Sequence, residues 1–189
     1  MTSTESILRV RNLINQTDST NTLYDDTNFI AHVLNQGRRL FASILPESKL
    51  PKLRVSAALV VGSNVGAYPT DFLRPLNDPY VLIDSTVARR VKEGERWRLR
   101  FLASNDLTDD EYYYERSDGV VALAATAITY EYLKKPTALS ASDNVELPAE
   151  VDDMVIDFAF HKCMGTTRGD KELAAMLWRE SKEQVGALQ

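Results

Sequence analysis

The sequence predicts a soluble α+β domain, and three observations carry the prediction. Two amphipathic segments with helical spacing lead the chain, a Pro- and Gly-punctuated stretch of strand-like alternation follows, and two more amphipathic segments close it. At 189 residues the chain suits one domain over 1–189, large enough to bury about 70% of the surface its unfolded form exposes. No internal repeat, low-complexity tract or linker divides it.

Thr2-Ser3-Thr4-Glu5 reads as a capping box, in which the Thr2 hydroxyl and the Glu5 carboxylate satisfy each other's backbone amides. The helix it opens covers about 3–16, with Ile7, Val10, Leu13 and Ile14 on one stripe. After a polar turn at Thr17 to Asn21, Asp25 or Asp26 caps the strongest helix, about 26–45, in which Phe29, Ile30, Val33, Leu34, Gly37, Leu40 and Phe41 follow a period near 3.6 and Pro46 is the stop. Gly37 sits on that apolar stripe, where Gly costs about 1 kcal/mol relative to Ala, so close approach of another helix is expected there.

From Leu53 the period becomes two, and a β-rich region over about 53–135 is predicted. Leu53, Val55, Ala57, Leu59 and Val61 form one face, and Val81 to Val87 is a β-branched-rich run. Trp97, Leu99 and Phe101 alternate with Arg96, Arg98 and Arg100 as a half-buried strand. Tyr112 to Glu115 and Val120 to Leu133 add two or three more strands, with Ile128, Tyr130 and Tyr132 on one face and a hairpin signal at Asp118-Gly119; by propensity Ala122 to Ala127 also suits a helix. Leu147-Pro148-Ala149-Glu150 opens a third helix, about 150–164, because Pro at a helix start loses only an amide that has no partner, and Glu150, Asp152 and Asp153 complement the positive helix end. Its buried stripe is Val151, Met154, Val155, Phe158 and Ala159. Gly165 to Gly169 breaks the chain before a fourth helix, about 170–187, with Leu173, Ala174, Leu177, Trp178, Val185 and Leu188 on its apolar side.

The net charge of −5 argues against sequence-independent DNA binding, which needs a clustered positive surface. Locally a basic segment, Arg89 to Arg100, precedes an acidic one, Asp106 to Glu115. These form either a solvated face of alternating strands or complementary patches that meet on neighbouring copies and set docking register. The single cysteine, Cys163, cannot pair within the chain, and neither a signal peptide nor a bilayer-spanning segment is expected.

No catalytic residue, cofactor or metal is predicted. Asp109-Asp110-Glu111 and Glu150, Asp152, Asp153 and Asp157 lack the ligand spacing of a calcium loop. His32 and His161 have no partner at metalloprotease spacing, and Cys163 lies two positions from His161, on another side of the helix. Gly62-Ser63-Asn64-Val65-Gly66 lacks the Lys and the following helix of a phosphate loop and reads as a turn. The acidic neighbours of Tyr112-Tyr113-Tyr114 oppose base stacking, and strand packing explains these tyrosines better.

The stretch Tyr68-Pro69-Thr70-Asp71-Phe72-Leu73-Arg74, with the strand around Val81 after it, resembles the head-to-tail adaptor (head completion) proteins of tailed bacteriophages and gene transfer agents. The N-terminal helix pair, the strands around Gly119 and Ile128 to Tyr132 ending in Lys134-Lys135-Pro136, the Leu147-Pro148 helix and the final Asp170-Lys171-Glu172-Leu173-Ala174 helix extend the resemblance over nearly the whole chain. Ala124 and Ala125 depart from it, standing where a proline-bearing turn is expected.

The resemblance implies an antiparallel four-helix bundle with an inserted antiparallel β region. It also implies a non-enzymatic virion protein at the capsid-tail junction, present in the host cytoplasm during assembly, that forms a homo-oligomeric ring, expected to be twelvefold, beneath the portal protein. Such a ring would seal the DNA-filled capsid, contact the next connector or tail protein, and let DNA pass without sequence-specific binding or any membrane. Arg96, Arg98 and Arg100 are then candidates for the subunit interface and Trp178, Arg179 and Leu188 for portal binding. Asp71, Arg74, Asp109, Asp110 and Glu111 are candidates for a channel- or tail-facing loop. The alternatives are a stopper or tail-completion protein further from the capsid, a small hydrolase, and a scaffold domain outside the virion.

Overall fold

The computed structural model of the chain describes residues 2–15, 25–92, 111–123, 125–139, 146–165 and 169–187, without the side chains of 27–28 and 182–187. Two compact units emerge: Met1–Leu53 with Lys135–Gln189, and Arg54–Lys134.

The first unit is helical. Helix α1 (Ser3–Leu13) begins with the expected capping box, Thr2 N donating to Glu5 Oε2 at 2.9 Å and Glu5 N to Thr2 Oγ1 at 3.2 Å. It packs through Ser6, Val10 and Arg11, whereas Leu13, expected inside, is 48% exposed, as is Leu8 at 55%. A π turn (Asp26–Ile30) leads into α2 (Ala31–Ile44), and no side chain caps the α-helical part. Asp26 is engaged elsewhere: its carboxylate receives the Nε of the buried Arg11.

Helix α3 (Ala149–Cys163) has Pro148 as its N-cap and packs on α1, α2 and α4 (Asp170–Ala187). The expected stripe of Val151, Met154, Val155, Phe158 and Ala159 is buried, and Ile156 and Cys163 join it. At Gly37 the close approach is real. A Cβ there would lie 3.0 Å from the Phe158 ring, which is itself packed edge-on against Phe41 with centroids 6.5 Å apart. Gly165, with φ +70°, ends α3, since a left-handed residue after the last turn is most easily glycine.

The second unit is a barrel. Its strands are β1 (Arg54–Gly62), β2 (Val65–Ala67), β3 (Phe72–Pro75), β4 (Val81–Ile83), β5 (Thr86–Arg90), β6 (Glu111–Arg116), β7 (Gly119–Ala122) and β8 (Ile128–Lys134). Pairing runs β1-β2-β7-β6-β5-β4-β8, and β8 returns to β1 with Arg54 opposite Leu133 and Leu59 opposite Ile128, so seven strands close on themselves. β3 pairs beside β4 on the end of β8, with a bulge between Phe72 and Arg74.

The alternation of β1 is as expected, with residues 54, 56, 58, 60 and 62 exposed and Leu59 inside. Ile128, Tyr130 and Tyr132 share the barrel core with Leu59, Ile83 and Val120. Ser63-Asn64 is a two-residue hairpin turn with both φ values positive (52° and 67°), the twist that joins antiparallel strands without splaying them. Asp84-Ser85 (48° and 76°) is a second one, so the Val81–Val87 run is two strands folded on each other. The Asp84 carboxylate accepts from the backbone amides of Thr126 and Ala127 and from the Thr126 hydroxyl, tying that turn to the entry of β8.

The Asp118-Gly119 signal marks a real hairpin, whose turn residues are Ser117-Asp118. Gly119 has a packing reason as well: a Cβ there would lie 2.3 Å from the Gly66 carbonyl oxygen.

Among the described residues, four helices and a closed seven-stranded barrel therefore replace the antiparallel four-helix bundle with an inserted antiparallel β region. Closure comes from the β1–β8 ladder, which joins residues far apart in sequence, and strict antiparallelism fails because β5 and β6 run parallel, with Ala88 opposite Glu111 and Arg90 opposite Tyr113. The strand predicted at Trp97 to Phe101 lies outside the described residues.

Candidate functional site

The stretch that carries the resemblance is knitted into the barrel. Leaving β2, Tyr68 N donates to Asp118 O, and Phe72 N closes a turn onto Pro69 O at 3.0 Å. That turn stacks the Tyr68 and Phe72 rings, centroids 3.8 Å apart and 8° from parallel. Tyr130 and Tyr132 of β8 pack against them at 5.7 and 5.6 Å. The exposed Asp71 accepts the Tyr132 hydroxyl at 2.9 Å, and Arg74 lies half-buried in β3.

A second polar knot crosses the same core. Tyr130 Oη donates to Glu115 Oε1 at 2.7 Å, Glu115 Oε2 is ion-paired with Arg90, and Arg90 also donates to the Asn77 carbonyl. Burial, then the charge of Glu115, pushes the Tyr68 phenol up to about 12; burial, then the bond to Asp71, does the same for Tyr132. Tyr113 and Tyr130 are raised too, chiefly by burial. Phenols held neutral this way donate hydrogen bonds and do not act as nucleophiles. Arg90 of the basic segment and Glu115 of the acidic one thus meet within one chain.

The other candidate residues fall in separate places. Glu111 is the first residue of β6, half-buried opposite Ala88. On α4, Leu173, Ala174 and Leu177 are buried, Trp178 is half-buried and Arg179 is exposed. Arg96, Arg98, Arg100, Asp109, Asp110 and Leu188 lie outside the described residues.

Among the described residues no group of three or more His, Cys, Asp and Glu could hold a metal, and no helix is long and apolar enough to cross a membrane. Burial raises the Cys163 thiol above its ordinary value, which keeps it protonated and unreactive.

Sequence reasoning missed one group, the guanidinium of Arg38 on α2, only 2% exposed. Among the described residues no hydrogen bond reaches its Nε, Nη1 or Nη2, and its nearest counter-charge is Glu146 at 3.8 Å. Its position beside Leu34, Gly37 and Phe41 on the apolar stripe is the only signal that could have found it.

No curated protein matches the chain. The profile of the SU10 adaptor protein family matches residues 1–188, which span the helical unit and the barrel alike, and the chain belongs to that family of phage structural adaptors.

Proposed function

We propose that this adaptor assembles as a twelvefold ring beneath the portal of a DNA-filled capsid, seals it, and presents a docking surface to the next connector or tail protein. The observation that carries the reading is the family match across 1–188. Its role is mechanical and needs no reaction.

Charge makes the reading coherent. A twelvefold ring of a chain with net charge −5 carries about −60 before counterions, and a lumen of that sign repels phosphates, so DNA slides instead of sticking. In this reading Asp71, Arg74, Asp109, Asp110 and Glu111 border the channel or face the tail, and Trp178 and Arg179 anchor α4 on the portal. Because α4 buries Leu173, Ala174 and Leu177, Trp178→Ala with Arg179→Ala tests the anchor better than truncation does.

Purified chain incubated with DNA-filled, tailless capsids, followed by imaging of the capsid vertex, is the deciding experiment. A ring of added density under the portal is expected, and it fixes the copy number. Binding only to isolated tails or preformed connectors would move the protein one layer outward, to a stopper or tail-completion role. Binding to neither would remove it from the junction.

A further inference from the structure

From Val55 to Thr70 the chain carries no charged residue, and the barrel turns half of β1 and β2 outward. Register fixes which side chains share the outer face. Val87 of β5 stands opposite Leu82 of β4, Leu82 opposite Thr129 of β8, and Thr129 opposite Ala58 of β1, while Val60, next along the same side of β1, stands opposite Ala67 of β2. The alternate residues Leu59, Ile83 and Ile128 go to the barrel core. Val60 is 82% and Val87 56% exposed, Ala58 and Ala67 are exposed, and Leu82 and Thr129 are half-buried. Neighbouring strands from β5 to β2 therefore present one uncharged, mostly apolar face, about 19 Å across at the usual strand spacing. The outward charges of β1 and β8, Arg54 and Glu131, pair with each other.

Such a face marks a protein contact, because contiguous apolar patches are rarely left to water and interface cores are depleted of charge. It offers no cation to a phosphate backbone. Copies of a chain with net charge −5 repel one another through their fields, and least where both touching faces are uncharged. The helical unit supplies a second face of that kind. Leu13 at the end of α1 is 48% exposed, and Met164, just after α3, is 65% exposed. Asn12 and Ile14 beside Leu13, and Cys163 and Gly165 beside Met164, carry no charge. Arg11 acts electrostatically on Cys163, which puts the two helix ends side by side.

We propose that the outer barrel face around Val60 and Val87 of each subunit packs on the neighbouring copy, against the end of its helical unit that carries Leu13 and Met164. This rests on the ring reading above and deepens it: the two faces differ, so the contact is heterologous, the kind that propagates around a ring. Apolar burial holds it, so it keeps its strength as salt rises, unlike a contact made of exposed ion pairs.

Val60→Cys and Leu13→Cys placed in one chain test the contact by mild oxidation and non-reducing electrophoresis, in concentrated solution and on DNA-filled, tailless capsids. A ladder reaching trimers and larger species is expected on capsids, while each single variant stops at the dimer; the native Cys163 is buried and takes no part. Val60→Cys with Ser48→Cys is the control, because Ser48 is exposed beside Lys49, whose partner Glu150 lies at the other end of α3 from Met164. An equal ladder from the control overturns the proposal, as does the absence of species beyond the dimer in both settings. A crosslink confined to monomers also overturns it, since the barrel face would then be covered by the helical unit of its own chain.

Charge placed on the face gives an independent readout. Val60→Glu with Val87→Glu, both outward and exposed, should leave the circular dichroism spectrum and melting temperature unchanged and abolish the ring of density on capsids; a ring that persists counts against the contact. Wild-type rings that persist while the ladder is absent would discard the contact alone. A ladder in solution from a chain that forms no ring on capsids would discard the ring reading alone.

Discussion

Two buried charges, Glu115 in the barrel and Arg38 in the helical unit, are held in opposite ways. In the barrel, Glu115 is 10% exposed yet accepts from Tyr130 and pairs with Arg90, and Glu131 pairs with Arg54 while accepting from the Tyr80 amide. In the helical unit Arg38 is deeper still, with no hydrogen bond among the described residues and a carboxylate no nearer than 3.8 Å. The difference shows where each unit gets its specificity. Barrel strands have a ladder register that can slip, and side-chain bonds between β5, β6 and β8 pin it. The helical unit has side-chain bonds too, Arg11 to Asp26 among them, but around Arg38 the packing is one of shape, with Phe158 against Gly37 and Phe41.

The largest expected effect falls on that packing. Phe158→Ala should cost about 3–5 kcal/mol by leaving a cavity beneath a helix that touches three others. Urea unfolding followed by far-ultraviolet circular dichroism reads it, and a loss under about 1 kcal/mol would mean that shape does not govern the helical unit.

Glu115→Ala comes next, at about 1–3 kcal/mol, because it leaves the fully buried Tyr130 hydroxyl with Tyr68 as its remaining partner and removes the counter-charge of Arg90. Tyrosine fluorescence during unfolding follows this change. A neutral result would take the pinning role away from the knot.

Arg38→Met should carry the opposite sign, neutral or stabilising by about 1 kcal/mol, since a guanidinium with no hydrogen bond among the described residues is costly to bury and Met fills similar space. Burial already draws the Arg38 pKa below its ordinary value. A drop in melting temperature would instead reveal that Glu146 depends on this cation.

The smallest effect separates the units by pH. In the barrel the Thr126 hydroxyl lowers Asp84, Arg116 lowers Asp118 and Arg54 lowers Glu131. Stability from these groups is present above their unfolded values and is lost as pH falls through the lowered ones. In the helical unit burial raises Asp152 and Asp157. Their ionised forms are disfavoured in the fold, so stability is full below the unfolded values and is lost as pH rises through the raised ones. Glu5, lowered by its bonds to Thr2, runs the other way within that unit. Amide hydrogen exchange at pH 7 and near pH 4, corrected for intrinsic rates, should show β8 losing protection on acidification while α3 loses less or gains. Equal loss in both would erase the contrast.

Much of the secondary structure was readable because its causes are local. The Thr2–Glu5 capping box, Pro148 at the start of α3, the alternation of β1 and the hairpin before Gly119 each depend on residues a few positions apart, and each stands where the pattern puts it. The Asp84-Ser85 turn was hidden inside a run rich in β-branched residues, and the inward rotation of Arg11 ran against the hydrophobic stripe. Of the candidate site, Asp71 proved to hold Tyr132, Trp178 sits half-buried on α4, and Glu111 begins the parallel strand; none of these partners is near in sequence.

The sequence by itself therefore determined the family, the helices and the strands β1, β6, β7 and β8, but not β2 or β3, since propensity, capping and period act over one or two turns of chain. Tertiary structure alone decided that the strands close into a barrel, that β5 and β6 run parallel, that Arg38 enters the core and that Leu13 does not. Those outcomes follow from which distant surfaces meet, and the free energy of such contacts is set by the packed neighbours of a residue and not by its place in a local pattern.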